Sequence, residues 1–147
     1  MTKDIILTIA GLHATDGDSG EPVEIVTPGQ YYLKNGKHYV LFEELLEGVD
    51  GKIKSTLKFE ENKVELIRTG AATARMIFEK DREHFMFYRT PMGPLEISIY
   101  TDDIFMETGE QKMNVQIDYS IKAGEEVVTE STVRINICEK EIKTFGD

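Results

Sequence analysis

Apolar and polar residues alternate along most of this chain with a period of two. Ile5, Leu7 and Ile9 alternate with Asp4, Ile6 and Thr8, which predicts a first strand over 3–13. Val23 and Ile25 alternate with Glu24 and Val26 until Thr27-Pro28-Gly29 interrupts them. Proline has no ladder N–H and glycine relaxes the backbone, so this tripeptide predicts a bulge or bend on one long strand. Two strand-like runs then meet at Asn35-Gly36. A type I′ hairpin turn needs φ > 0 at both central residues, and Asn-Gly tolerates that best.

The two-residue turn sets Lys34 opposite Lys37, Leu33 opposite His38, Tyr32 opposite Tyr39 and Tyr31 opposite Val40. Tyr31, Leu33, His38, Val40 and Phe42 form the more apolar face, expected to look inward. Tyr32, Lys34, Lys37, Tyr39 and Leu41 form an aromatic–lysine surface on the other side. A slip of one residue would exchange His38 and Tyr39 between the faces. Phe42–Leu46 is open to a helical reading.

Further along, Ile53, Ser55, Leu57 and Phe59 alternate with Lys54, Thr56 and Lys58, and Val64, Leu66 and Arg68 share one phase. Met76 and Phe78 share a face, His84–Thr90 is rich in aromatics, and Leu95, Ile97, Ile99 and Thr101 alternate with Glu96, Ser98 and Tyr100. Ile104-Phe105-Met106 reads as a short separate apolar piece. Met113–Ile121 is the cleanest strand, and Val133, Ile135 and Ile137 mark the last. Turn signals separate all of these, and no helical stripe competes with them. The chain therefore reads as all-β, an antiparallel barrel or sandwich. Short sequential connections favour an up-and-down meander barrel of about 8–10 strands, since closure removes exposed edges. Barrels of this size can hold one small ligand.

Composition narrows the function. A chain of 147 residues with no linker or repeat is expected to form one domain over 1–147. Seventeen Lys+Arg against 27 Asp+Glu give a formal charge of −10, which repels phosphate backbones and anionic membranes. Neither nucleic acid nor a membrane is expected as a partner. The single Cys138 has no internal partner, and no apolar run is long enough to span a bilayer, so a cytoplasmic location is expected.

Candidate chemistry is sparse. Gly17-Asp18-Ser19-Gly20-Glu21-Pro22 looks like the serine-protease nucleophile motif, but only 18 residues precede Ser19 to supply a base and its orienting Asp. Asp16-x-Asp18-x-Gly20 starts like a calcium loop, yet Glu21 and Thr27 stand where Gly and Glu are needed. His13, His38 and His84 are not spaced as metal ligands, and Cys138 has no neighbouring base. Glu43, Glu44 and Glu47 read as a solvated acidic stretch. No catalytic constellation, metal site or cofactor is expected.

Arg68 stands apart. Strict alternation from Val64 and Leu66 points it inward, where a guanidinium must be paired or bind an anion. Either it anchors a ligand, with Tyr88, Thr101 and Tyr119 as possible companions, or it sits at the rim paired with a carboxylate.

The ordered motifs Tyr32-x-Lys34-Asn35-Gly36-x-x-Tyr39, Phe42-Glu43-Glu44, Thr56-Leu57-Lys58, Arg68-x-Gly70, Met76-x-Phe78 and Tyr88-x-Thr90-Pro91-x-Gly93 resemble the YwiB-like bacterial family of unknown function. The resemblance covers nearly the whole chain. It implies a calycin, lipocalin-like barrel and no established activity. The Gly-x-Trp signature of true lipocalins is absent, because the chain has no Trp.

Two uses follow as expectations. One is binding of a small anionic or amphiphilic molecule inside the barrel, with Arg68, Met76, Phe78 and Tyr88 around it. The other is a non-catalytic protein-interaction module with a packed core, working through Tyr32, Lys34, Lys37 and Tyr39.

Overall fold

Strands form where the alternation predicts them. The computed structural model describes residues 4–13, 22–45, 50–71, 73–90 and 93–140. The strands are β1 (Asp4–His13), β2 (Pro22–Lys34), β3 (Lys37–Glu44), β4 (Ile53–Glu60), β5 (Lys63–Gly70), β6 (Ala74–Glu79), β7 (Glu83–Thr90), β8 (Gly93–Thr108), β9 (Lys112–Ala123) and β10 (Glu126–Glu139).

They pair in the order β6-β5-β4-β3-β2-β1-β10-β9-β8-β7. Every described ladder is antiparallel, and β1 and β10 join the two halves of the meander. The result is a nearly closed antiparallel barrel whose open seam lies between β6 and β7. At that seam Asp81 N–H donates to the Thr101 carbonyl at 2.8 Å, and Thr101 N–H donates to the Arg82 carbonyl at 3.2 Å.

Every strand sends apolar side chains inward, from Ile5, Leu7 and Ile9 on β1 to Val133, Ile135 and Ile137 on β10. Burying each such side chain contributes on the order of 1.5–3 kcal/mol. Phe78 from β6 meets Tyr119 from β9 edge-on, with centroids 5.2 Å apart at 71°. That contact lies among fully buried neighbours such as Phe59 and Ile117 in one continuous apolar core.

The hairpin adopts the expected register, Lys34↔Lys37 to Tyr31↔Val40. Asn35 and Gly36 both take positive φ, 53° and 76°. Tyr31, Val40 and Phe42 are buried and His38 is half-buried, but Leu33 is 59% exposed. It was expected inside. Among the described residues the β1–β2 ladder begins at Asp4↔Gln30, short of Leu33.

Three other expectations change. Pairing of β2 with β1 runs unbroken through Thr27, Pro28 and Gly29, and the bulge lies further along the ladder, at Gly11 of β1 opposite Val23 and Glu24. There φ is +92°, and a Cβ would sit 2.1 Å from the Thr132 carbonyl oxygen, so only glycine fits. Ile104-Phe105-Met106 is the continuation of β8, not a separate piece. A bulge between Thr101 and Asp103 switches the alternation, so that Ile104 is buried and Phe105 is exposed. Finally, β3 stays extended to Glu44, while Leu46 lies outside the described residues, as does the whole Ala14–Glu21 loop with its protease-like and calcium-like motifs.

Candidate functional site

The polar feature of the barrel interior is built by β3, β4 and β5. Their registers align Phe42, Ser55 and Arg68 across three strands, with Glu44, Ile53 and Gly70 in the next inward row. Glu44 accepts from Arg68 Nε at 2.9 Å and Nη2 at 3.2 Å, and from the Ser55 hydroxyl at 2.5 Å. All three residues are buried, at 6%, 5% and 1% exposure for Glu44, Arg68 and Ser55. Two parallel N–H···O bonds with a third donor on the same carboxylate are what a desolvated ion pair needs in order to persist.

Gly70 holds the end of this arrangement. Its φ is +98°, and a Cβ there would lie 2.9 Å from the Lys52 carbonyl oxygen. Ala71 N–H donates to that same carbonyl at 3.2 Å, tying the end of β5 to the start of β4 beside the cluster.

The wall opens next to it. Pairing between β2 and β3 stops at Gln30↔Leu41, although both strands continue. Pro28 offers no N–H to a neighbour, and beyond Gly29 the two strands part. The gap is a groove of about 710 Å³ lined by Asp4, Thr27, Pro28, Leu41, Phe42, Glu44, Lys54 and Ser55 among others. Inward residues (Phe42, Glu44, Ser55) and outward ones (Leu41, Lys54) thus border one space. Glu43, expected in a solvated acidic stretch, is indeed exposed and pairs with Lys52 at 3.6 Å. Glu44 is not solvated: alternation from Phe42 carries it inside. Glu47 lies outside the described residues.

The other nominated residues separate. Arg68 is inward, as its phase predicts, and paired with a carboxylate, but inside the barrel and not at an exposed rim. Met76 and Phe78 are buried in the packed interior, at 3% and 2% exposure. Tyr88 pairs with Leu95 through the backbone, and its side chain lies outside the described set. The Tyr119 hydroxyl donates to the Gly11 carbonyl at 3.3 Å, and Thr101 Oγ1 is buried without a hydrogen-bond partner among the described residues.

On the outer face Tyr32 and Tyr39 stack, with centroids 5.0 Å apart at 9°, and Lys58 Nζ lies 6.0 Å from the Tyr39 ring centre. Lys34 is exposed and Lys37 reaches Glu60 at 3.4 Å. That splays the two hairpin lysines' charges.

His38 Nδ1 lies 2.7 Å from the Tyr31 hydroxyl. Burial pulls the imidazole below its ordinary pKa and pushes the phenol above its own, which favours the neutral form of both, and the tautomer of the ring sets which of the two donates. His84 pairs with Glu79 at 2.8 Å, and that hydrogen bond lowers the pKa of the glutamate. The His13 side chain is outside the described set. Among the described residues no three His, Cys, Asp or Glu side chains gather as metal ligands. Cys138 is half-buried, with Sγ 3.9 Å from the Ile6 carbonyl.

Residues 7–135 match the model of a domain family of unknown function, DUF1934. The chain belongs to that family. It is 30% identical over 122 residues to the uncharacterized beta-barrel protein YwiB of Bacillus subtilis (strain 168), covering 83% of this chain and 84% of that protein. The crystal structure of ywiB protein from Bacillus subtilis aligns with a TM-score of 0.76 at 25% identity, over 95% of this chain and 93% of that one. In this DUF1934 chain, two motifs that carry the sequence resemblance, Phe42-Glu43-Glu44 and Arg68-x-Gly70, meet in the buried cluster.

Proposed function

We propose that this DUF1934 protein is a non-catalytic binder of a small amphiphilic molecule, taken up at the flank where β2 and β3 part. The observation behind this reading is the groove itself, which joins apolar surface on Pro28, Leu41 and Phe42 to Lys54, Ser55 and the Glu44 carboxylate. The groove at this flank offers about 710 Å³ for such a ligand. An apolar tail lies along Leu41 and Phe42, and an anionic head meets Lys54 at the mouth. Arg68 is neutralised by Glu44, so it orders the inner edge of the groove and leaves the anionic head to Lys54. Met76 and Phe78 lie further along the interior, opposite Leu66 and Val64 of β5, and belong to the core and not to the groove.

Dodecanoate is a suitable probe, with dodecyltrimethylammonium as its cationic counterpart. A ligand that binds only the folded state raises its stability by mass action, about 2.7 kcal/mol at a hundred times Kd. Thermal melts should rise with dodecanoate, more than with the cation, and the rise should vanish in Leu41→Asp and reverse its charge preference in Lys54→Glu. An unchanged melting temperature for wild type with both probes would end this reading.

A second reading is a protein-docking face around Tyr32, Tyr39, Lys34 and Lys37. The exposed Tyr32 of the stacked pair supports that use.

A further inference from the structure

Strand β3 reaches a second opening at its other end. His38 stands opposite Phe59 of β4, about 20 Å along an extended strand from Glu44. There the β2–β3 hairpin, the β4–β5 turn and the end of β8 border a cavity of about 400 Å³, with His38, Phe59, Glu60, Glu61, Ile104 and Met106 in its lining. Lys80 N–H donates to the Asn62 carbonyl at 3.0 Å, which ties the β4–β5 turn to the end of β6. The bulge between Thr101 and Asp103 sets the phase that brings Ile104 and Met106 to this space.

His38 is the oriented polar group of this mouth. Its Nδ1 lies 2.7 Å from the hydroxyl of the buried Tyr31, which fixes the ring. Its Nε2 makes no hydrogen bond among the described residues. Burial favours the neutral ring, and in the tautomer that donates from Nδ1 to Tyr31 the Nε2 atom is an acceptor.

The charges in the lining have one sign. It contains two carboxylates and neither lysine nor arginine. Lys37 and Lys58 reach Glu60 from outside it, at 3.4 and 3.9 Å, whereas Glu61 is exposed and has no ion pair among the described residues. The formal charge of −10 adds to that field. An ammonium group carries three donors and no acceptor, the complement of a carboxylate beside an imidazole nitrogen. Ile104 and Met106 offer apolar surface for a short body behind it.

We propose that this mouth is a second binding site, which takes a small primary amine in its ammonium form, with N–H donors on Glu61 and His38 Nε2 and an apolar body against Ile104 and Met106. It differs from the β2–β3 groove in place and in charge preference, so the two ideas stand or fall apart.

Two-dimensional NMR of the full chain with 2-phenylethylammonium tests it, because the shifts locate the binding. Signals of His38, Ile104 and Met106 should move saturably with a Kd of about 1 mM, as expected for a ligand of this size, while those of Leu41 and Lys54 stay in place. Phenylacetate, the same body with the opposite charge, should leave the His38 signals unmoved. The trimethylammonium analogue keeps the charge but has no N–H, and should bind about tenfold more weakly. Glu61→Gln and His38→Phe should each weaken 2-phenylethylammonium about tenfold.

Absence of saturable shifts up to about 20 mM overturns the proposal. So does equal binding of phenylacetate or of the trimethylammonium analogue, a response confined to the groove, or an affinity indifferent to either substitution. Glu61 is exposed in a turn, so Glu61→Gln keeps the test decisive if His38→Phe fails to fold.

Discussion

Strand β5 takes part in two carboxylate–guanidinium pairs, one on each side of the barrel wall. Inside, Arg68 meets Glu44, and both side chains are all but sealed from water, at 5% and 3% exposure. Outside, Glu65 meets Arg75, with the carboxylate at 4% but the guanidinium at 60%. The inner pair uses two nitrogens on two oxygens. In the outer pair Arg75 Nε and Nη2 both lie on one oxygen, at 3.1 and 2.8 Å, while Lys63 takes the other at 3.3 Å.

Position on the strand explains the split, because residues 65 and 68 are separated by an odd number and must point to opposite faces. The same chemistry thus meets two dielectrics. An inner ion pair is a commitment: neither partner has water to fall back on. The outer pair is screened at one end and contributes little net energy.

The largest expected effect follows from breaking the inner pair. Glu44→Ala leaves Arg68 charged in an apolar interior and should destabilise by about 3–5 kcal/mol, read by urea unfolding. The double change Glu44→Leu/Arg68→Met removes both charges and should recover most of that loss. If the double variant keeps its stability yet loses the dodecanoate response, the pair serves the groove. If stability is not recovered, the pair is held by more than its own geometry.

Ser55→Ala should cost about 1.5–3 kcal/mol, the range for a hydrogen bond to a charged group. It sharpens the comparison because the outer carboxylate has two cations and no hydroxyl. A loss near zero would mean that Arg68 alone satisfies Glu44.

Much of this was legible in the residues, in unequal measure. Strand positions, hairpin register and the inward phase of Arg68 follow from a period of two, which is local information. Ser55 carried the same phase as Ile53 and Leu57. Glu44 is readable too, two residues beyond an inward Phe42, but three acidic residues in five point to a solvated stretch and mask that phase. The groove had no such local signal. Pro28 and Gly29 pointed to an irregularity without telling which neighbour would be lost. Strand β2 keeps β1 and gives up β3 because that choice depends on how the barrel closes. The bulge at Gly11 was likewise set by the distant Thr132 carbonyl, 121 positions along the chain.

The smallest effect belongs to the outer pair, and pH exposes it. Burial works against ionisation of Glu65, but the hydrogen bonds from Arg75 and Lys63 outweigh it and hold the carboxyl below its ordinary pKa. A carboxylate with a depressed folded pKa stabilises the fold above its unfolded pKa, and that contribution is lost as pH falls through the folded value. Arg75→Ala should therefore cost about 1 kcal/mol or less at pH 7. Its carboxyl should titrate at higher pH than in wild type, so acid unfolding begins earlier. As pH drops past the wild-type value of Glu65 the two stability curves should converge, because both chains then carry a neutral acid at that position. Curves that stay parallel down to full protonation would show that Arg75 acts through its packed stem and not through its charge.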